Sequence, residues 1–440
     1  MREKGTLILG AGLAGISTAY HLGDRDHLVI EKSDHPGGLC TSEHTGGFTF
    51  DQTGHWLHLA REENRTLFSD LFPDDRVRIE RKTHIFSHGV YTLYPFQSNT
   101  YGLPPQVVRE CVAGFVKALR DTDKSRAREN FYEWCMAYLG EGIAKHFMIP
   151  YNSKLYTVHP KQMASHWCDR YVPKPTLAEV IEGAVTAPDR KVGYNASFFY
   201  PAQGGIGEFP KRFFARTDAA RYLFNARPTA LDIENRIVTL DGGEQVRYRH
   251  LVSSIPLRDL LNIVTGPFAP TAKEIAARMQ VASVSYLNIA LKKPAGHPGH
   301  WFYIPEEGFL PYRVGSFSNI HPPLAPAGRG SLYVEYTHQG PFSGVDELME
   351  ESIRLLTAMG IIADDEEDID FIDHRCIENG YVIFHREYFD DMAAVSDIFG
   401  RHGVHLVGRY GRWTYNAMED AVSDGRETAK KILSGQGGPA

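Results

Sequence analysis

Three closely spaced glycines near the start of the chain have the pattern that receives a pyrophosphate. In Thr6-Leu-Ile-Leu-Gly-Ala-Gly-Leu-Ala-Gly15 an apolar run leads into Gly10, Gly12 and Gly15, spaced G-x-G-x-x-G. The run reads as a buried strand, the glycines as a turn, and the residues through His21 as a helix. Gly10 permits the tight turn, Gly12 leaves room for phosphate to approach the backbone, and Gly15 lets helix and strand pack closely. The helix N-terminus then offers unpaired N–H groups to the anion. A second strand, His27-Leu-Val-Ile30, ends in Glu31, an acceptor placed for ribose hydroxyls. An acid at that point, with no arginine beside it, disfavours a 2′-phosphate. A bare glycine fingerprint is often only a turn; strand, helix and acid in succession make a dinucleotide the better reading.

The elements that position these residues belong to a large chain. At 440 residues two or three lobes are expected. The net charge of −7 is spread without basic blocks, which gives no reason to expect nucleic acid or an anionic membrane surface as partner. Cys40, Cys111, Cys135, Cys168 and Cys376 are scattered and lack C-x-x-C spacing, so reduced thiols in a cytoplasmic protein are expected, with no disulfide frame and no metal site. Cys40 reads as a small buried residue. No apolar run approaches ~18 residues and only Met1 to Gly5 precedes the first strand, so neither a membrane span nor a signal peptide is expected.

Along the chain, residues 60 to 95 alternate short helical and strand-like pieces, and from Pro105 to about Met163 the pattern turns helical. Val107, Val108, Cys111, Val112, Phe115 and Leu119 fall on one helix face, as do Phe131, Trp134, Cys135 and Tyr138. Tyr200 to Gly207 leads toward a helix, after which Leu223-Phe-Asn, Thr229 to Asp232, Arg236 to Leu240 and Val246-Arg-Tyr248 read as an antiparallel meander closed by Leu251 to Ile255. Residues 283 to 338 supply long alternating strands, Asp346 to Met359 an amphipathic helix, and Gly403 to Gly408 a last strand before a helix near Glu419. Residues from Ser434 onward read as a flexible tail. The expected class is α/β: a Rossmann-like dinucleotide-binding domain (1–80, 200–275 and 386–440), an inserted helical domain (100–190), and an antiparallel β-sheet substrate domain (81–99 and 276–385).

Which dinucleotide is bound depends on the passage after Glu31. Gly37-Gly38 and Gly46-Gly47-Phe-Thr-Phe-Asp51-Gln-Thr-Gly54-His55 bring backbone close to a large flat ligand. This extension resembles that of flavoproteins of the amine oxidase and mutase superfamily, and implies FAD. The chain is similar to one family in particular, the flavin-dependent UDP-galactopyranose mutases of eukaryotic type, from Gly10 to about Gly425. The blocks that carry the resemblance are Gly54-His55, Tyr94-Pro-Phe-Gln97-Ser-Asn99, Gly142 to Lys154, Trp167-Cys-Asp-Arg170, Asn195 to Pro201 with Gly204-Gly205, Tyr312-Arg313, and Gly408-Arg-Tyr-Gly-Arg-Trp-Thr-Tyr415.

The resemblance implies a pyranose/furanose mutase, an isomerase that needs its flavin reduced. The ring bonds through N5 to the sugar, releases the nucleoside diphosphate, and holds the sugar while it recloses as a furanose, with no net electron transfer. NAD(P)H or another reductant would supply the electrons; base, sugar and oligomeric state stay open. Arg170 and Arg313 match the family's two phosphate-binding arginines, work that suits a permanently charged guanidinium fork. His55 matches a histidine whose loop faces flavin N5. Gly408 and Arg409 match the turn before the last helix, where flavin is held. Tyr94, Gln97, Asn195, Tyr303, Tyr381 and Tyr415 match positions lining the sugar and diphosphate pocket, with Tyr151 and Asn152 toward the nucleotide base. The chain departs from the family at Thr53, where a glycine is usual, at His58, where an aromatic is, and at Glu419, where an amide is. Glu419 would sit awkwardly beside a pyrophosphate unless Arg409 or Arg412 balances it. Two alternatives share the nucleotide unit: an FAD-dependent oxidoreductase of the amine oxidase or protoporphyrinogen oxidase type, and a flavin-free binder of the Rab-escort type. Loops around 170 to 195 are candidates for closure over substrate.

Overall fold

A computed structural model describes residues 1–187, 197–363 and 366–435. Asn195, part of the loop region around 170 to 195, and the tail from 436 lie outside them. The first sheet has eight strands. At its centre Arg2–Leu9 runs parallel to both Gln245–Ser253 and His27–Ile30, and Val404–Leu406 joins parallel to Gln245–Ser253. Both faces of this centre are covered: Leu7, Ile8, Leu9, Val29, Leu251 and Val252 are all buried. That is why the sequence shows continuous apolar runs there rather than alternation. Helix Leu13–Leu22 follows the glycine turn and packs against Met418–Leu433 so closely that a Cβ on Gly425 would lie 2.4 Å from the Ala14 carbonyl oxygen.

The expected meander is corrected in two places. Tyr222–Leu223 pairs parallel to His27–Ile30 at the sheet edge and takes no part in the antiparallel set. Val246 to Tyr248 and Leu251 to Ser253 are one strand, antiparallel to Ile237–Leu240 in its first half and parallel to Arg2–Leu9 along most of its length. Alternation in the first half and full burial in the second made one strand look like two.

The second sheet has seven strands in the order Ile369–Ile383, Gln280–Leu291, Gly330–His338, Arg313–Ser316, Trp301–Tyr303, Thr83–Ser87 and Val90–Leu93. All pairs are antiparallel except Trp301–Tyr303 with Thr83–Ser87. Successive side chains of Gly330–His338 point to opposite faces. Leu332 and Val334 join the apolar cluster formed with Leu348, Leu355 and Leu356 of helix Val345–Ala358, which leaves Tyr333, Glu335 and Thr337 on the other face.

The helical part comprises Pro105–Arg120, Phe131–Tyr138, the continuous run from Gly140 to Tyr156, and Leu177–Val185. In Pro105–Arg120 the buried stripe is Val107, Cys111, Phe115 and Ala118; Leu119, expected on it, is 49% exposed because the stripe drifts by one position over the last turn. Cys40 is buried as expected. Among the described residues no helix is long and apolar enough to cross a membrane, and no group of His, Cys, Asp and Glu is arranged to hold a metal ion.

Candidate functional site

The glycine turn forms a trough. Gly10 has φ +96°, and a Cβ on Gly15 would lie 1.9 Å from the Gly10 carbonyl oxygen, so strand and helix meet only because that side chain is absent. Gly12 and Gly37 form a parallel bridge, with the Gly37 N–H donating to the Ala11 carbonyl at 2.9 Å. A Cβ on Gly38 would sit 3.2 Å from the Gly12 Cα. Helix Leu13–Leu22 has no side-chain cap, which leaves its first-turn N–H groups for an anion. Glu31 accepts from the Ala11 N–H at 2.7 Å and the Ser33 N–H at 2.9 Å, one bond per oxygen, and keeps lone pairs for hydroxyls. Thr41 Oγ1, Trp413 Nε1 and Asn416 Oδ1 are buried without a protein partner. An uncapped helix, a trough of glycines and orphaned polar atoms fit a dinucleotide cofactor.

The loop at Gly54-His55 is tightly constrained. A Cβ on Gly54 would lie 2.7 Å from the Tyr333 hydroxyl and 2.9 Å from Trp56 Nε1. Thr53, where the family has glycine, adopts φ +61°. His55 Nδ1 donates to the Gln52 carbonyl at 2.7 Å, which fixes the tautomer with a lone pair on Nε2. Burial pushes its pKa down to about 4, and the nearby Arg409 and Arg313 guanidiniums add to the effect. The ring is therefore neutral, and two cations lie within its electrostatic reach.

Both expected phosphate-binding arginines have carboxylate neighbours, but in different settings. Arg313 lies directly across from Glu335 on adjacent strands. Its guanidinium is bidentate to that carboxylate, through Nε and through Nη2 at 2.6 Å, and Glu335 is 1% exposed. Arg170, on the short helix Cys168–Tyr171, is largely exposed and stands 3.6 Å from Asp420 Oδ1. Its guanidinium lies 5.1 Å from the ring centre of Tyr171. Arg409 is the third cation: it donates to the Asn416 carbonyl at 3.0 Å and lies 4.7 Å over the Tyr415 ring, with no carboxylate partner among the described residues.

Tyrosines connect these cations. Tyr303 is 5.2 Å from the rings of both Tyr94 and Tyr151, and the Tyr312 and Tyr381 hydroxyls are 3.1 Å apart. Tyr171 packs at 4.6 Å on Tyr415 and donates to its carbonyl. Arg313 acts electrostatically on Tyr151, Tyr303, Tyr312 and Tyr381. Tyr94, Tyr151, Tyr303, Tyr381, Tyr415, Arg313, Arg409 and His55 are thus gathered around one region. Gln97 and Asn152 are buried, but their amide N–H groups serve the protein: Gln97 Nε2 donates to the Pro173 carbonyl and Asn152 Nδ2 to the Met148 carbonyl, both at 2.7 Å.

The expected balance at Glu419 is corrected. Neither Arg409 nor Arg412 pairs with it: Arg412 binds Asp424 at 2.7 Å. Arg61 does the work instead, giving its backbone N–H to Glu419 Oε1 at 2.6 Å and its Nη2 to Asp420 Oδ1 at 3.0 Å. Sequence reasoning missed Arg61 because the contact spans the whole chain. It also missed Glu335, although a lone carboxylate in the apolar run Ser331-Leu-Tyr-Val-Glu-Tyr signals a buried partner. Asp51 is a further buried carboxylate, accepting from Ser42 Oγ, Tyr200 Oη and the Ile206 N–H at 2.6, 2.5 and 3.0 Å; burial raises its pKa to about 6.

Residues 13–433 match the profile of the family described as flavin containing amine oxidoreductase. Over 135 residues the chain is 24% identical to probable polyamine oxidase 4 of Arabidopsis thaliana, a match covering 28% of this chain and 26% of that protein. The chain thus spans about a quarter of the length of the curated relatives it matches. A crystal structure of reduced UDP-galactopyranose mutase superimposes with a TM-score of 0.92 at 26% identity, covering 98% of this chain and 96% of that one. Cyclohexylamine oxidase from Brevibacterium oxydans shares the fold at a TM-score of 0.70 and 14% identity, covering 98% and 99%. The chain belongs to the flavin-containing amine oxidoreductase family and, within it, resembles UDP-galactopyranose mutase along nearly its whole length.

Proposed function

We propose that this protein is an FAD-dependent nucleotide-sugar pyranose/furanose mutase, active when its flavin is reduced. The observation that carries the reading is the set of guanidiniums beside the cofactor loop: Arg313 and Arg409 both act on His55, and Arg409 lacks a carboxylate partner among the described residues. Arg409 is half-buried, and a partly desolvated cation without a counter-ion favours an anionic ligand beside it. An amine substrate would bring a second positive charge into the same region, so the oxidase alternative is disfavoured on electrostatic grounds.

FAD, held by Gly10, Gly12, Gly15, Glu31, Gly37, Gly38, Gly54, Gly408 and Arg409, supplies a nucleophile when reduced. The protein's own part is binding and orientation. Arg313 and Arg170 would hold the diphosphate, the first already aligned by Glu335, while Arg409 at the cofactor adds positive charge beside them. Arg170 would exchange Asp420 for phosphate oxygens, since its present contact is a loose one at 3.6 Å. The hydroxyls of Tyr94, Tyr303, Tyr381 and Tyr415 orient the sugar, while the surrounding rings keep water from it. His55 stays neutral and shapes the loop without adding charge.

The test is incubation of oxidised and reduced protein with UDP-galactopyranose and a panel of other nucleotide sugars, followed by proton NMR. Furanose product with reduced protein alone is expected. Acceptor-dependent oxidation of an amine, with no furanose from any sugar, would refute the reading.

A further inference from the structure

The hairpin that delivers Arg313 is closed by a cation from a distant part of the chain. Lys154 lies near the end of helix Ile149–Tyr156, and its Nζ donates to the carbonyls of Glu306 at 2.6 Å, Pro311 at 3.0 Å and Ile304 at 3.1 Å. Burial lowers the Lys154 pKa to about 7, and in its protonated form the amine has three N–H donors, which these acceptors saturate. All three carbonyls belong to the loop between strands Trp301–Tyr303 and Arg313–Ser316. Tyr303 immediately precedes the first of them, and only Tyr312 separates the last from Arg313. The Lys154 carbonyl in turn accepts from Thr337 Oγ1, on the strand and the face that present Glu335. One residue therefore ties together the helix bearing Tyr151, both ends of the loop, and the strand that aligns the guanidinium.

We propose that Lys154 is a positioning residue for diphosphate recognition: by capping the three loop carbonyls it fixes Tyr303 and Arg313 in the geometry that receives the nucleotide. This rests on the nucleotide-sugar reading above. The Arg313 fork is directional, and its bidentate contact with Glu335 leaves one orientation for the remaining N–H groups. Without the ammonium, the carbonyls of Ile304 and Pro311 lose this donor, that of Glu306 keeps only the Phe309 N–H at 3.3 Å, and the loop must open to water or rearrange.

The experiment measures UDP binding to the FAD-loaded protein by calorimetry for wild type, Lys154→Gln and Lys154→Met, with FAD content and melting temperature recorded alongside. Glutamine keeps part of the donor set and methionine none, so a graded loss is expected: the UDP Kd rises about tenfold or more in K154M and less in K154Q. FAD content should stay at the wild-type level in both. If K154M does not fold, K154Q decides by itself. An unchanged UDP Kd with a lowered melting temperature would make Lys154 a structural strut and overturn the assignment. Wild-type protein that binds neither UDP nor GDP, ADP, CDP or dTDP would overturn the functional reading and this inference together, whereas normal wild-type binding with unaltered variants overturns this inference alone.

Discussion

At the scale of single residues, charge placement governs what the site tolerates. His55 has its pKa depressed by burial to about 4, below the ordinary 6.5 of a histidine, so the unfolded chain takes up its proton first. Its contribution to stability is complete above pH 6.5 and is lost as the pH falls toward 4, on the order of 2 kcal/mol at pH 5. Asp51 runs the other way, because a carboxyl raised to about 6 favours the folded state in acid and loses that advantage as the pH rises through 6. Urea denaturation at pH 7 and pH 5 should therefore show a smaller acid loss in His55→Gln than in wild type. An equal loss would mean the ring titrates normally. Glu335→Gln would leave Arg313 without its counter-charge in a buried setting, and a stability loss of about 3–5 kcal/mol is expected from the same measurement. Part of this was legible: Arg313, Arg409, His55 and the tyrosines were named through the resemblance to the mutase family, which their residue types alone did not single out. Glu335, the partner of Arg313, and Arg61, the partner of Glu419 and Asp420, were not, because an ion pair between strands or across the whole chain leaves no local pattern in the sequence.

At the scale of elements, the first and last helices decide whether the nucleotide unit holds. Gly425 faces the start of helix Leu13–Leu22, and Gly425→Ala would press a methyl to within 2.4 Å of the Ala14 carbonyl. The helices must separate, at a cost of about 1–3 kcal/mol. A lower melting temperature and faster FAD loss on gel filtration are expected, with unaltered values the contrary result. Both helices were visible from periodicity and the glycine turn, since each pattern is local. The strand Gln245–Ser253 was not visible as a unit. It serves an antiparallel neighbour and a parallel one in turn, so its burial pattern changes along its length. Tyr222–Leu223 was misplaced for a related reason: two residues carry no information about the direction of their partner.

At the scale of the whole molecule, the first sheet is assembled from segments far apart in sequence. Val404–Leu406 pairs with Gln245–Ser253, and Met418–Leu433 packs on Leu13–Leu22. Chain truncated before Gly403 should retain no FAD, seen as loss of visible flavin absorbance after desalting. Retention would show that residues 1–402 form the cradle unaided. The division into two sheets and a helical part was readable from where alternation, continuous apolar runs and helical periodicity take over from one another, whereas the way separate segments interleave in one sheet was not. The start of helix Met418–Leu433 holds Asp420 between Arg61 and Arg170, while its body is wedged beneath the nucleotide trough through Gly425. On the proposed reading, ligand preference and cofactor retention reside at different places on one rod. Exchanges at 419 and 420 would then release Arg61 and Arg170 without disturbing the anchoring end of the same helix.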